Sequence, residues 1–176
     1  MNDYEIRSRV IIDSLKDKKG LLTGVEIGVY KGDMICSLLD LEPRIERIYG
    51  IDPYTRSTEY RIRWAQSNWD SLYEIVMKKL SKYEDRVFMI RDKSELSWDD
   101  IPMVDFVEID GGHTYHQTLQ DIELYEQKVN KGGVLCGHDY FGKYTQPVRS
   151  AVHGYASKHG RNICESADAG MWWWRV

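Results

Sequence analysis

A doubly wound α/β sheet, mainly parallel, is the fold class this sequence predicts, and three observations predict it. Short apolar runs alternate with stretches whose apolar residues recur at helical spacing. The first run ends in Val25-Glu26-Ile27-Gly28-Val29-Tyr30-Lys31-Gly32, a turn whose two glycines sit where a nucleotide-binding loop needs them. The next run closes on Asp52, about twenty residues further on, where such a sheet places a carboxylate for ribose hydroxyls.

The elements follow in order. Ile6, Val10, Ile11 and Leu15 form one apolar stripe, predicting an opening helix over 3–18 before the Lys-Gly break. Leu22–Ile27 reads as the first strand, Asp33–Leu41 as a helix stopped by Pro43, and Arg47–Ile51 as the second strand. Residues 54–68 are polar and aromatic and read as a lid. Trp69, Leu72, Tyr73, Val76 and Leu80 mark a covering helix. Val87–Ile90, Val104–Ile109 and Val134–Cys136 are further strands, with a helix carried by Tyr115, Leu119, Ile122, Tyr125 and Val129 between the last two. Such alternation requires parallel pairing. A helix from Pro147 to His159 precedes two closing segments, Asn162–Glu165 and Met171–Val176, joined through Asp168-Ala169-Gly170 as an antiparallel hairpin. No repeat or linker divides the chain, so residues 1–176 are expected to form one domain, with 1–20 as its N-terminal helix.

Composition narrows the function. A net charge of −4 offers no general attraction to nucleic acid or to an anionic membrane. Cys36, Cys136 and Cys164 are odd in number and lack metal-site spacing, which fits a reducing compartment. Neither a leader-like apolar run nor an eighteen-residue apolar stretch is present, and the expectation is a cytoplasmic protein.

The turn departs from a dinucleotide fingerprint. Glu26 occupies the first glycine position and Lys31 the third. A carboxylate there repels a diphosphate but favours a ligand carrying ammonium or sulfonium. S-adenosylmethionine has both groups and no phosphate.

The run Asp105-Phe106-Val107-Glu108-Ile109-Asp110-Gly111-Gly112-His113-Thr114-Tyr115, with Asp121, Lys131-Gly132-Gly133 and His138-Asp139-Tyr140 after it, resembles the class I S-adenosylmethionine-dependent methyltransferases. The similarity runs from about Gly24 to Gly142. Within that family it looks like the small-molecule O-methyltransferase branch, which holds macrolide-sugar and rhamnosyl methyltransferases and cephalosporin hydroxylase-like proteins. The resemblance implies a Rossmann-like, doubly wound, seven-stranded, mainly parallel sheet with a C-terminal antiparallel hairpin. It further implies that Glu26, Gly28, Tyr30 and Gly32 line the methionine end, that Asp52 holds the ribose, that Asp92, Lys93 and Ser94 border adenine, and that Asp110 and Gly111 face the sulfonium side. The bland readings are a plain tight turn for the glycines, a helix N-cap for Asp52 and a solvated loop acid for Asp92.

Methyl transfer to oxygen needs an acceptor hydroxyl in line with the sulfonium carbon and a group to take its proton. Asp110 and His113, after the fourth strand, are the candidate catalytic pair, with His113 the general base. Asp110, His138 and Asp139 end adjacent strands in this scheme and could share a magnesium ion. Relatives that bind metal show an adjacent acidic pair where this chain has His138-Asp139, so Asp139 could equally cap its loop or orient His113. Asp121 reads as a charged helix flank or a partner behind the site, and Arg149 as a surface ion pair or a substrate anchor. Trp172, Trp173 and Trp174 read as packing for both sheet faces, leaving Trp64 and Trp69 as the aromatics nearest an acceptor.

The expectation is an O-methyltransferase for a small-molecule hydroxyl, a sugar or glycoconjugate among the options, with a homodimer one way to complete the acceptor pocket. The alternatives are a non-catalytic cofactor-binding module of the same fold and an NAD-dependent oxidoreductase.

Overall fold

The computed structural model describes residues 2–55 and 68–176. The lid expected over 54–68 therefore lies outside the described residues, apart from Tyr54, Thr55 and Asn68 at its edges. Among the described residues, no helix is long and apolar enough to cross a membrane.

The elements are α1 (Asp3–Ser14), β1 (Leu22–Ile27), α2 (Asp33–Leu41), β2 (Ile45–Ile51), α3 (Trp69–Leu80), β3 (Val87–Ile90), α4 (Ser94–Ser97), β4 (Val104–Ile109), α5 (Tyr115–Tyr125), β5 (Val129–Gly137), α6 (Gln146–His159), β6 (Cys164–Ser166) and β7 (Met171–Arg175). Seven strands form one sheet in the order β3-β2-β1-β4-β5-β7-β6. Strands β1 to β5 pair in parallel, while β7 inserts antiparallel between β5 and β6. The chain reverses its winding between β1 and β4, where an open sheet of this kind leaves a crevice outside its carboxyl edge.

Apolar side chains cover both faces. Helices α1, α2 and α3 seal one with Ile11, Leu15, Ile35, Leu38, Val76 and Leu80 over Ile48, Phe106 and Cys136. Helices α5 and α6 seal the other with Ile122, Tyr125, Val148 and Val152 over Val25, Val107 and Leu135. Trp172 and Trp174 face the second layer and Trp173 packs against the first, because neighbours along a strand point to opposite faces. Trp174 also donates its indole N–H to Glu126 at 2.7 Å.

Several boundaries differ from the sequence expectation. Helix α1 ends at Ser14 with buried Leu15 as its cap, because residues 16–20 beyond have no apolar side chain to bury and Lys18 turns to pair with Asp105. Strand β2 begins at Ile45, since Arg86 holds that residue's carbonyl at 2.7 Å beside the pairing with Leu22. Strand β5 begins at Val129, and a register shift across Gly132-Gly133 separates it from the expected core at Val134. Helix α4 is a single polar turn without an apolar stripe, so periodicity gave no sign of it.

The backbone ladder runs one residue past several strand ends. Gly28 donates to Ile51, Asp52 to Ile90, Asp110 to Ile27 and His138 to Ile109, at 2.8 to 3.2 Å. These four residues thus stand along the carboxyl edge. Gly28 has φ +90°, and a Cβ there would lie 2.2 Å from the Asp110 carbonyl oxygen. Gly28→Ala should lower stability by about 2–3 kcal/mol, since either the turn or the end of β4 must move. Urea unfolding measures the loss, and an unchanged midpoint would contradict so close an approach.

Candidate active site

Two rows of side chains build the site. Glu26 on β1 and Glu108 on β4 are register partners, and Asp110 follows two residues on, so all three point to the face covered by α1. Glu26 is 2% exposed and Glu108 fully buried. Burial raises both carboxyls above their ordinary range, and for Glu26 the neighbouring Glu108 adds to it. Neither Glu26 Oε2 nor Glu108 Oε2 has a hydrogen-bond partner among the described residues.

Arg7 meets this acidic row from α1. Its Nη2 donates to Glu108 Oε1 and, at 2.7 Å, to Asp110 Oδ2, with the side chain 3% exposed. Burial opposes its charge, yet Glu108 and Asp110 outweigh that and hold the guanidinium protonated. The Tyr4 ring lies 5.8 Å from it.

The second row joins Asp110 to the residues that end β5. His138 Nδ1 stands 3.5 Å from Asp110 Oδ1 and 3.6 Å from Asp139 Oδ2, while His113 Nε2 is 2.7 Å from Asp139 Oδ2. Hydrogen bonds from His113 and His138 hold the Asp139 carboxyl far below its usual range. Burial works against a charged His138, but its bonds to Asp110 and Asp139 prevail and raise it to about 9. A small cleft on the α5/α6 side is bounded by Asp110, Gly112, His113, His138, Val148 and Trp172.

Beside these rows, Asp52 accepts N–H bonds from Tyr30 at 2.9 Å and Tyr54 at 2.8 Å. It therefore bridges the loops after β1 and β2. Burial raises its carboxyl, against the pull of those two bonds. Gly32, at φ +70°, caps the N-terminus of α2. Gly111 packs beside Ile27.

The adenine-side candidates divide. Asp92 is exposed and accepts the N–H of Lys93 at 2.7 Å, and Lys93 Nζ lies 3.7 Å from Glu95. The Ser94 hydroxyl turns inward and donates to Asp121 at 2.5 Å. Asp121 is thus no solvated flank: it is 2% exposed, and burial pushes it up to about 7 against that hydrogen bond. Its place on the buried stripe Thr118-Asp121-Ile122-Tyr125 was the available sequence signal. Arg149 lies over the Tyr140 ring at 5.2 Å, so its contact is an aromatic face. Trp69 packs partly buried against the α1–α3 layer, and Trp64 lies outside the described residues.

Magnesium fits these residues poorly. Ligand atoms of Asp110, His113 and Asp139 come within 4.8 Å of one another, a set that replaces the expected His138 with His113. This ion prefers oxygen ligands in octahedral array, whereas here a carboxylate oxygen of Asp110 is bound by Arg7 and one of Asp139 faces two imidazoles. Unit charges about 5 Å apart repel by about 3 kcal/mol at an effective dielectric near 20, and a divalent ion beside a guanidinium meets twice that.

Comparison with known proteins follows this geometry. The family model described as a methyltransferase domain matches residues 25–140, from the middle of β1 to the end of the His138-Asp139-Tyr140 run. An uncharacterized protein of Acanthamoeba polyphaga mimivirus is 30% identical over 126 residues, covering 70% of this chain and 53% of that protein. The chain thus spans about half the length of this curated relative. The fold is shared with a TDP-rhamnose 3′-O-methyltransferase of calicheamicin biosynthesis (TM-score 0.67, 13% identity, 97% of this chain and 78% of that one). It is also shared with the S-adenosylhomocysteine-bound Podospora anserina methyltransferase PaMTH1 (TM-score 0.68, 12% identity, 97% and 77%).

His138 gives a test of the electrostatics. Its folded-state value lies above the ordinary 6.5, so its contribution to stability is complete below about pH 6.5 and is lost as pH rises through about 9. NMR titration of labelled histidines should find one imidazole deprotonating near pH 9, absent in His138→Gln. A midpoint near 6.5 for His138 would contradict the geometry.

Proposed function

The chain belongs to the S-adenosylmethionine-dependent methyltransferase domain family, and from that premise we propose that it methylates a hydroxyl oxygen of a small molecule, a sugar or glycoconjugate being the leading class. One observation carries the choice of oxygen chemistry: His113 Nε2 is held at 2.7 Å by Asp139, next to Asp110 on the carboxyl edge. Asp139 thereby orients the imidazole at the edge where the acceptor would stand, the placement a general base needs.

S-adenosylmethionine supplies, when bound, an electrophilic methyl carbon on a positively charged sulfur. The protein's part is to attract, orient and take a proton. Glu108 and Asp110 share one guanidinium and Glu26 keeps a carboxyl oxygen without a partner among the described residues, so the acceptor-rich crevice favours the donor's ammonium and sulfonium and disfavours a diphosphate. Asp52, fixed by the Tyr30 and Tyr54 amides, is the partner for ribose hydroxyls, while Gly28 lets the turn approach the methionine end. Asp92 and Lys93 lie on the exposed rim and Ser94 beneath it, on the side assigned to adenine. An acceptor hydroxyl held in line with the donor's methyl carbon would give its proton to His113. Asp139 steadies the imidazolium that forms. No step uses a metal.

The sugar class takes its support from the structural likeness to the TDP-rhamnose methyltransferase, and the donor from the family together with the S-adenosylhomocysteine-bound neighbour. Hydroxyl-bearing nucleotide sugars are the first acceptors to try.

A thermal-shift assay with S-adenosylmethionine, S-adenosylhomocysteine and NAD tests the reading. At about a hundred times the dissociation constant, the first two should each add about 2.7 kcal/mol, about 5–10 °C for a chain of this size. NAD should add nothing, and a shift with NAD alone would reverse the assignment. Asp52→Ala should abolish most of the response. His113→Ala should keep donor binding and lower methylated product, followed by mass spectrometry, by about 10²–10⁴-fold; undiminished product would remove His113 from its role.

A further inference from the structure

We propose that Arg7 is the built-in cation of this site: carried in on α1, its guanidinium takes the place a divalent metal would hold against Asp110, and the site operates without metal. The proposal rests on the methyltransferase reading for what the site operates on, but its central measurement does not depend on that reading.

Three observations carry it. The first is position. Arg7 Nη2 bonds both Glu108 and Asp110 from a side chain 3% exposed, and a guanidinium does not give up its proton within a protein's working range. The positive charge is therefore permanent and enclosed.

The second is the state of the remaining donors. Asp110 Oδ2 is committed to Arg7 and its Oδ1 faces His138, while Asp139 Oδ2 faces His113 and His138. An ion seeking these three oxygens would have to displace nitrogen donors while approaching the guanidinium. Arginine is the residue suited to keep them, because its planar fork can reach two carboxylates at once and resists dehydration less than an ammonium does.

The third is charge balance. Glu26, Glu108 and Asp110 lie on one face, and Arg7 is the cation that bonds two of them. Removing it leaves Glu108 without the cation that bonds it and Asp110 with His138 alone, so the buried carboxyls must take up protons or recruit a cation. The same deletion that harms an ordinary structural arginine's surroundings should here create a metal site.

Arg7 is thus a positioning residue that acts through Asp110. The test titrates MnCl₂ into the wild type, Arg7→Met, Arg7→Lys and the Arg7→Met/Asp110→Asn pair, with free Mn²⁺ followed by electron paramagnetic resonance. Circular dichroism checks folding. The wild type and Arg7→Lys should bind no Mn²⁺ at this site at about 1 mM, whereas Arg7→Met should gain a site at least about tenfold tighter, lost again in the double variant. S-adenosylhomocysteine binding to the wild type, by calorimetry, should change less than about twofold between EDTA and MgCl₂.

Wild-type Mn²⁺ binding at or below about 1 mM that Asp110→Asn abolishes would overturn the proposal, as would a folded Arg7→Met variant that binds no more Mn²⁺ than the wild type. Mn²⁺ bound elsewhere, insensitive to Asp110→Asn, agrees with it. Should Arg7→Met fail to fold, the wild type and Arg7→Lys still decide. Failure of S-adenosylhomocysteine to bind any variant would sink the methyltransferase reading and leave the metal result standing.

Discussion

Burying carboxyls side by side in the middle of a sheet is the constraint from which the rest of this structure follows. Glu26 and Glu108 are neighbours across β1 and β4, both shut away from water, with Asp110 just beyond. Isolated charges in such surroundings are costly unless paired. The guanidinium of Arg7 meets that need for Glu108 and Asp110. Glu26 keeps an oxygen without a partner among the described residues, which leaves this part of the carboxyl edge rich in acceptors.

Along that edge the backbone does the placing and the side chains the chemistry. Ladder bonds carried one residue past β2, β1, β4 and β5 fix Asp52, Gly28, Asp110 and His138 in that order across the sheet. Each then takes a role from what lies beside it. Asp52 ties two loops through backbone amides. Asp110 stands between a guanidinium and an imidazole, and Asp139 between two imidazoles. The arrangement alternates in sign from Glu108 through Arg7, Asp110 and His138 to Asp139, so moving one member disturbs the partners of the next.

Most of the sheet was legible because parallel strands buried on both faces read as continuous apolar runs, and Leu22–Ile27, Val87–Ile90 and Val104–Ile109 stand where those runs do. The polar residues directly after them were legible as edge residues for the same reason. Arg7 was not. It stands between Ile6 and Val10 in a charged segment and reads as solvated, yet it shares a face with Ser8, Ile11 and Leu15, all buried. A charge on a helix's apolar face was the clue, and only its partners, about a hundred residues on, show what it is for. Asp121 escaped in the same way. The start of β5 was hidden by Gly132-Gly133, since glycines in a strand pattern read as a break before they read as a bulge.

The bond between Arg7 and Glu108 closes a loop of 101 residues, more than half the chain. Closing a loop of that length costs chain entropy that contacts between neighbouring elements do not. Until α1 docks, Glu108 lacks the cation that bonds it and Asp110 has His138 alone, so little offsets their dehydration. Docking of α1 is then the step that makes the crevice electrically tolerable, so a change that loosens this helix reaches the acidic row as directly as a change within it.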